Sequence, residues 1–418
     1  MGRTEYIAAL DLGTSKMLSI AARKDEKGVL TILGAEKEMS GACMCRGYIY
    51  HVDEAAQKVS ALVERLNKKL EAKVKKLYVG LGGQSIHAEY YTVRREMNGA
   101  FVDDRIINSL YNGCMNYAPE LMEILEIVSP EYYLDGRLEV DPQGLPCQII
   151  EAKFLLILGH PSLKTNLEKS IEEKAKIEIA GFFISPLATA EAVLTRREKK
   201  LGCALVELGA GITYLSVYKN NLLRYLVAIP LGSNTITRDI IWASGIPEEE
   251  AEGLKMSEGS VLIESENEEP LYKVIEARTN EIVANIIEQI KVSGCESSMG
   301  EGIIITGGGS QLRNLDEFIR LKTNKPVRIA CVNKSLVHWT DSWSDLIDDP
   351  ANACAFGLLA LGKENCAKVV IPVPDPPVVE PIIMDPSGNT NRRREKKGLR
   401  EMWSHFSKGL FDEIREEE

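Results

Sequence analysis

The order of apolar and polar positions divides the chain into strand-length and helix-length runs. Tyr6 to Leu12 is apolar apart from Asp11 and reads as a buried strand. Gly13 breaks it, and Met17 to Ala22 resumes as a second strand, followed by a third over Val29 to Ala35. His51-Val52-Asp53 opens a helix, with Asp53 expected as its cap. Val59, Leu62, Val63, Leu66 and Leu70 then follow the three-and-four rhythm of a core-facing helix. Leu77 to Leu81 reads as a strand closing in Gly82-Gly83, which is expected to be a turn rather than an anion loop. From Ile86 to about Pro161 the texture changes. Strands over His87 to Val93, Leu138 to Val140 and Ile149 to Leu158 surround one short helix from Asp103 to about Ala118, the pattern of an inserted subdomain.

The rest of the chain alternates helices and strands. Ser162 to Ala175 reads as a helix and Ile177 to Ile184 as a strand. Ser185-Pro186 then starts a helix with proline in its first turn, where a missing N–H costs nothing. A second half begins at Gly202. It carries helices over Thr237 to Ser244, from Pro247 through Glu252 and Lys255, over Leu271 to Val292, and over Leu315 to Lys322. Asn267 to Glu269 is an acidic loop, Val327 to Ala330 a strand, and Cys354 to Leu361 a small-residue helix expected to pack between domains as a hinge. The globular part is expected to end near Lys363. Beyond it Pro372, Pro374, Pro376, Pro377, Pro381 and Pro386 stand among valines and acids, a composition that gives an extended, semi-stiff tether.

One arrangement occurs twice. Leu10-Asp11-Leu12-Gly13-Thr14-Ser15-Lys16 and Val206-Glu207-Leu208-Gly209-Ala210-Gly211-Ile212-Thr213 share the order apolar strand, acid, glycine, small residues, next strand. Such a turn exposes backbone N–H groups and hydroxyls in a concavity that holds anions. Lys16 adds a point charge, and Asp11, like the longer Glu207, is placed to hold Mg²⁺ through water. An internal echo of this kind implies two similar halves facing each other, able to grip one polyphosphate from both sides. Ile303 to Ser310 adds a buried strand ending in Gly307, Gly308 and Gly309, where a flat ring can lie against bare backbone. Gly232, just after a strand ending at Pro230, is expected to approach the phosphates closely. Glu252 and Lys255, three apart, share a helix face, which on residues alone reads as a solvated salt bridge.

These three pieces in this order resemble the actin-like ATPase superfamily. Asn234 to Ile241, Ala251 to Lys255 and Ala353 to Gly362 narrow the resemblance to its FtsA family of bacterial cell-division proteins. The resemblance runs from about Tyr6 to Gly362, with a matching tail. It implies an α/β, actin-like fold, with two similar domains around a nucleotide cleft. Residues 1–85 and 162–201 would form subdomain 1A, 86–161 the inserted 1C, 202–247 and 295–363 subdomain 2A, and 248–294 subdomain 2B. Residues 364–391 would form the linker and 392–418 a terminal amphipathic helix. It further implies ATP or ADP with Mg²⁺ as cofactors, held by residues 13–16, 209–213, Gly232 and 307–309, with Glu252 and Lys255 at ribose and adenine. The partners it implies are the C-terminal peptide of the tubulin-like FtsZ, further copies of the chain, inner-membrane lipids and other division proteins, at the cytoplasmic face of the septum. Three positions depart from active relatives. Ser185 stands where a glutamate or glutamine attends the attacking water, Glu207 replaces an aspartate, and Tyr214 replaces another. Slow or absent hydrolysis is the expectation.

Bulk properties narrow the alternatives. A formal net charge of -11 argues against general nucleic-acid binding. Nine cysteines without a CxxC pair read as buried small hydrophobes in a reducing compartment. Arg3 and Glu5 run straight into the first strand, so no signal is expected there and the chain is read as cytosolic. A sugar kinase would need a catalytic aspartate and a sugar pocket, a chaperone a peptide-binding domain, and a plasmid-segregation filament the actin-type insertion. The tail speaks without any resemblance. Leu399, Met402, Trp403, Phe406, Leu410, Phe411 and Ile414 fall on one helical face, and between Arg392 and Lys408 seven basic residues oppose two acids. That is the pattern of a peripheral helix at an anionic membrane surface.

Overall fold

The structure is a computed structural model that describes residues 5–257, 259–261 and 270–368. The tail helix, the acidic loop at 267–269 and most of the proline-rich tether lie outside the described residues. Two sheets organise the rest. The first holds β1 (Glu5–Leu12), β2 (Lys16–Lys24), β3 (Leu30–Met39), β4 (Lys76–Leu81) and β9 (Glu178–Ile184) in the order β9-β4-β1-β2-β3. β1, β2 and β3 are antiparallel, and β1, β4 and β9 are parallel. The second half repeats this order with β10 (Cys203–Leu208), β11 (Thr213–Lys219), β12 (Leu222–Ile229), β13 (Ile303–Thr306) and β14 (Val327–Ile329), arranged β14-β13-β10-β11-β12. The two antiparallel and parallel sets recur in the same places. The echo in the sequence is therefore an echo of topology.

Between the halves runs β5 (His87–Glu96), β6 (Glu123–Leu134), β7 (Arg137–Glu139) and β8 (Ile149–Gly159), with helix α2 (Asp104–Met115) on one face and a core of their own around Phe154, Leu110 and Ile150. β6 has no clear counterpart in the apolar pattern. Ser129-Pro130 interrupts it, and the pairing to β8 slips there, since a proline has no N–H for the ladder. Although this insertion follows β4 in the chain, its sheet joins the second half. β5 pairs with β12 at His87 and Val227, and the Ala228 N–H donates to the Ile86 carbonyl at 3.0 Å. Arg224 on β12 adds an ion pair to Glu131 on β6 at 2.7 Å. One nine-stranded sheet results.

The helices depart from expectation in two places. Helix α1 (Val52–Lys69) starts at Val52, and Asp53 sits in its first turn, paired to Lys174 at 2.6 Å, rather than capping it. The helix over Ser162–Glu168 (α3) continues as a π-helical stretch, Lys169–Lys174. The small-residue helix, Ala353–Leu361, packs against β1 and against the helix Ser185–Val193 (α4), in a core that also takes in Leu205, Ile212 and Tyr214 of the second half. A side chain at Gly357 would collide with the Ala188 backbone, so these two helices touch at their main chains. The chain also stays ordered past Lys363. Cys366 donates its N–H to the Tyr6 carbonyl at 2.7 Å, and Ala367–Lys368 pairs with Lys73–Val74.

Between α4 and β10 the chain turns through a short helix, Arg196–Leu201, opened by a reciprocal cap between Thr195 and Glu198. Arg328 on β14 grips the buried Glu198 with both arms, Nε to Oε1 at 2.6 Å and Nη2 to Oε2 at 2.9 Å, and also donates to the Val193 carbonyl at 3.1 Å. Burial alone would raise the Glu198 carboxyl, but the guanidinium and the Thr195 N–H outweigh it and hold the group below its ordinary value. The stability this group contributes is thus present above the ordinary carboxylate value and is lost as pH falls through the lowered one. Arg328→Ala is expected to cost about 2–3 kcal/mol in urea unfolding at pH 7. The deficit should narrow below about pH 4, and Arg328→Lys should recover only part of it. A loss under about 0.5 kcal/mol at pH 7 would show that the clamp does not bind the halves.

Candidate functional site

The repeated hairpins match in atomic detail. The Gly13 N–H donates to the Lys16 carbonyl at 2.9 Å, and the Gly209 N–H donates to the Ile212 carbonyl at 2.9 Å. A Cβ at either glycine would stand 2.8 Å from that same carbonyl, so each turn closes only around glycine. The turns face each other, because a Cβ at Gly211 would meet the Thr14 side chain at 2.8 Å. Gly232 packs against the Ala210 and Gly209 carbonyls, with no room for a side chain, and Ser233 and Asn234 donate N–H groups to the same two carbonyls.

A cavity of about 420 Å³ lies between the hairpins, within the range of small-molecule sites. Asp11, Gly13, Thr14, Ser15 and Lys16 line it from the first half. Glu207, Gly209, Ala210, Ile212, Glu252, Lys255, Gly307, Gly308 and Gly309 line it from the second. Gly211, Thr213 and Gly232 do not line it, and the buried Thr213 hydroxyl donates to the Leu231 carbonyl at 2.7 Å. Glu252 and Lys255 do not form a solvated pair. Lys255 is buried, with its ammonium 2.7 Å from Glu252 and 3.0 Å from the Thr237 hydroxyl, which itself donates to Glu252 at 2.6 Å. Gly82, expected in a plain turn, also lines the cavity, as do Gly47, Gln311 and Asp349. None of the last three carried a motif. No residue of the insertion lines the cavity.

The floor is acidic. Glu207 is half-buried, with Oε2 enclosed and unpartnered, and burial, helped by the nearby Asp11 charge, pushes its carboxyl up to about 8. Burial raises Asp11 as well, against the pull of the Cys354 thiol and of Lys16. Tyr214 fills the adjoining space, and its hydroxyl accepts the Gly83 N–H at 2.6 Å. Across the lining, Asp11, Glu207, Glu252 and Asp349 stand against Lys16 and Lys255. A divalent cation brought in with an anion would favour the ionised forms of Asp11 and Glu207, which burial alone disfavours. A second hollow of about 680 Å³, beside Arg196, Arg197 and Lys200, is open to solvent and far from any of these turns.

The family model described as cell division protein FtsA matches residues 204–357. The cell division protein FtsA of Porphyromonas gingivalis is 33% identical over 329 residues, covering 73% of this chain and 68% of that protein. The chain belongs to the FtsA family of cell division proteins. The FtsA of Neisseria meningitidis is 26% identical, covering 85% of this chain and 89% of its own length, and that of Escherichia coli 24%, covering 86% and 91%. Among solved structures, a chain of the PilM-PilN type IV pilus biogenesis complex superposes with a TM-score of 0.63 at 14% identity, covering 87% of this chain and 100% of its own. The ethanolamine utilization protein EutJ from Carboxydothermus hydrogenoformans gives 0.51 at 13% identity, covering 86% and 91%. These likenesses show the fold, an actin-like one. The FtsA-family chain described here thus places its twin hairpins where two similar halves of that fold meet.

Glu207 makes the site sensitive to pH. Its value in the fold is about 8 against an ordinary 4.5, so the stability it contributes is full below about 4.5 and drains away as pH rises through 8. Glu207→Gln keeps the shape without the charge. Without divalent cations the variant is expected to unfold later than the parent at pH 9, by on the order of 1–3 kcal/mol, and at nearly the same temperature at pH 5. A parent that gains on the variant between pH 5 and pH 9 would show that the carboxylate is already compensated in the fold.

Proposed function

We infer that the cleft binds ATP or ADP with Mg²⁺, hydrolyses ATP slowly if at all, and makes the chain a scaffold that carries division filaments at the membrane. The observation that supports the nucleotide reading best is the pair of matched glycine turns facing each other across one cavity, with Gly307, Gly308 and Gly309 along its wall. Backbone N–H groups of the turn residues 14–16 and 210–212, beyond the glycines whose own N–H groups close each turn, hold the phosphates from two sides. The bare glycines face the base, and Glu252 and Lys255 hold the ribose. Asp11 and Glu207 fit a divalent cation, because two adjacent carboxylates, one with an enclosed and unpartnered oxygen, lose their mutual repulsion beside it. No cluster of three metal-ligating side chains occurs among the described residues, so water and phosphate oxygens must supply the other ligands. Bound there, Mg²⁺ supplies charge neutralisation at the phosphates.

Proton transfer is where the chain's own residues fall short. Ser185 lines the cavity with a hydroxyl, which is no base at neutral pH, and Tyr214 keeps its proton because burial raises it far above the ordinary phenol value. Glu207 is largely protonated at pH 7 without a cation beside it. MgATP is therefore expected to bind by calorimetry, with a turnover at least a hundredfold below the common enzyme value of ~10 s⁻¹. Absence of heat with either ATP or ADP would remove the nucleotide reading; a turnover near 10 s⁻¹ would remove only the claim of slow hydrolysis.

The scaffold reading joins family membership to the tail. FtsZ is the proposed partner, held by its C-terminal peptide on the small subdomain Glu248–Gly294, and copies of the chain associate into filaments. No described helix is long and apolar enough to cross a membrane, which fits attachment through residues 392–418. Seven basic residues against two acids draw that segment to anionic headgroups at about 1 kcal/mol per basic residue. Its aromatic face enters the acyl boundary. Trp403→Glu with Phe406→Glu is expected to abolish sedimentation with anionic liposomes while leaving calorimetric ATP binding unchanged. Continued sedimentation of the double variant would place the membrane contact elsewhere.

A further inference from the structure

Asp349 lines the cavity and draws partners from both halves. Lys16 approaches its Oδ2 at 3.4 Å and Lys37, from β3, at 3.6 Å. From the second half, Gln311 donates its side-chain N–H to Oδ1 at 3.1 Å. The same oxygen accepts the Ala351 N–H at 2.9 Å, and Asn352 donates to Oδ2 at 3.2 Å. Lys16 is held twice over, because its ammonium also donates to Asn352 Oδ1 at 2.6 Å. The charged end of the first anion-holding turn is therefore engaged by the Asp349–Asn352 segment.

A carboxylate at the wall of a cavity suited to polyphosphate has two effects. It repels the phosphates, and it competes for the ammonium that would otherwise face them. Both effects are strongest where water is scarce, and side chains of Lys16 and Asp349 are each about three-quarters covered, at 23% and 24% exposure. We propose that Asp349 sets the nucleotide affinity of this site by holding Lys16, and that an entering phosphate takes the lysine from it. This rests on the nucleotide reading given above. Gln311 follows the Gly307–Gly309 turn and shares the Asp349 carboxylate, so transfer of Lys16 to phosphate leaves Asp349 to Gln311 and Lys37. The exchange thereby reaches the segment proposed to face the base.

A plainer role for Asp349 is to cap the 3₁₀ turn Pro350–Asn352 through its bond to Ala351. Asp349→Asn and Asp349→Ser both keep an oxygen acceptor for that N–H while removing the charge. Calorimetry with MgATP on the full chain separates the two roles. Both variants are expected to bind MgATP about five- to tenfold more tightly than the parent. In a Lys16→Met background the same substitutions should gain less than about twofold. An equal gain with and without Lys16 would mean that Asp349 acts by repulsion alone, and the proposal falls. Weaker binding by both variants would make Asp349 a supporting residue, and the proposal falls again. A parent that binds MgATP while neither variant gains affinity overturns this inference alone; a parent that does not bind overturns the nucleotide reading and this inference with it.

Discussion

One backbone hydrogen bond, made twice, governs the site: Gly13 N–H to the Lys16 carbonyl and Gly209 N–H to the Ile212 carbonyl. Each closes a turn so tight that a β-carbon would strike the accepting oxygen. The strand before the turn therefore stops with its acid, Asp11 or Glu207, at the cavity, and the strand after it starts one short turn later. Because both halves repeat the same sheet order, the two closed turns arrive face to face. The cavity, its acidic floor and the placement of Gly307 follow from that meeting, since Gly307 packs directly on the Leu208 backbone leading into the second turn.

The fold was largely legible because its signals are local. Buried strands with a single acid and a following glycine declare themselves by composition, and β1, β2, β10, β11 and β13 fall close to where the apolar runs place them. What stayed hidden depends on distant pairing. β6 carries a proline and needs β8 beside it to be a strand at all. Asp53 looked like a cap from its neighbours, yet Lys174, more than a hundred residues away, claims it. The helix Ala353–Leu361 is uniformly apolar, which announces burial and cannot name its partners, β1 and the helix Ser185–Val193.

The site divides in the same way. Glycine turns are readable because glycine is required by backbone geometry, so Gly13, Gly209 and Gly307 stand out in the sequence. Side chains that reach the cavity from elsewhere carry no such mark. Asp349 sits in an ordinary Asp-Asp-Pro sequence, and its importance lies in the Lys16 and Gln311 contacts that only folding brings together. Lys255 shows the reverse error of a local reading. Three-residue spacing to Glu252 suggests a surface pair, but Thr237 and Ser233 close over it and make it part of the wall.

The insertion belongs to one half by sequence and to the other by hydrogen bonding. Its two ends enter and leave through the first half, next to Gly83 and His160, while β5 continues the sheet of the second half through β12. A change in the angle between the halves cannot leave this block where it was. Either the short β5–β12 seam parts, or the block rides with the second half and pulls on its two covalent stalks. The seam is one ladder pair long, with Arg224 and Glu131 beside it. The Tyr90 hydroxyl on the Arg224 carbonyl and the packing of Leu155 and Ile157 with Leu223 and Leu226 join the block to the second half beyond that one pair.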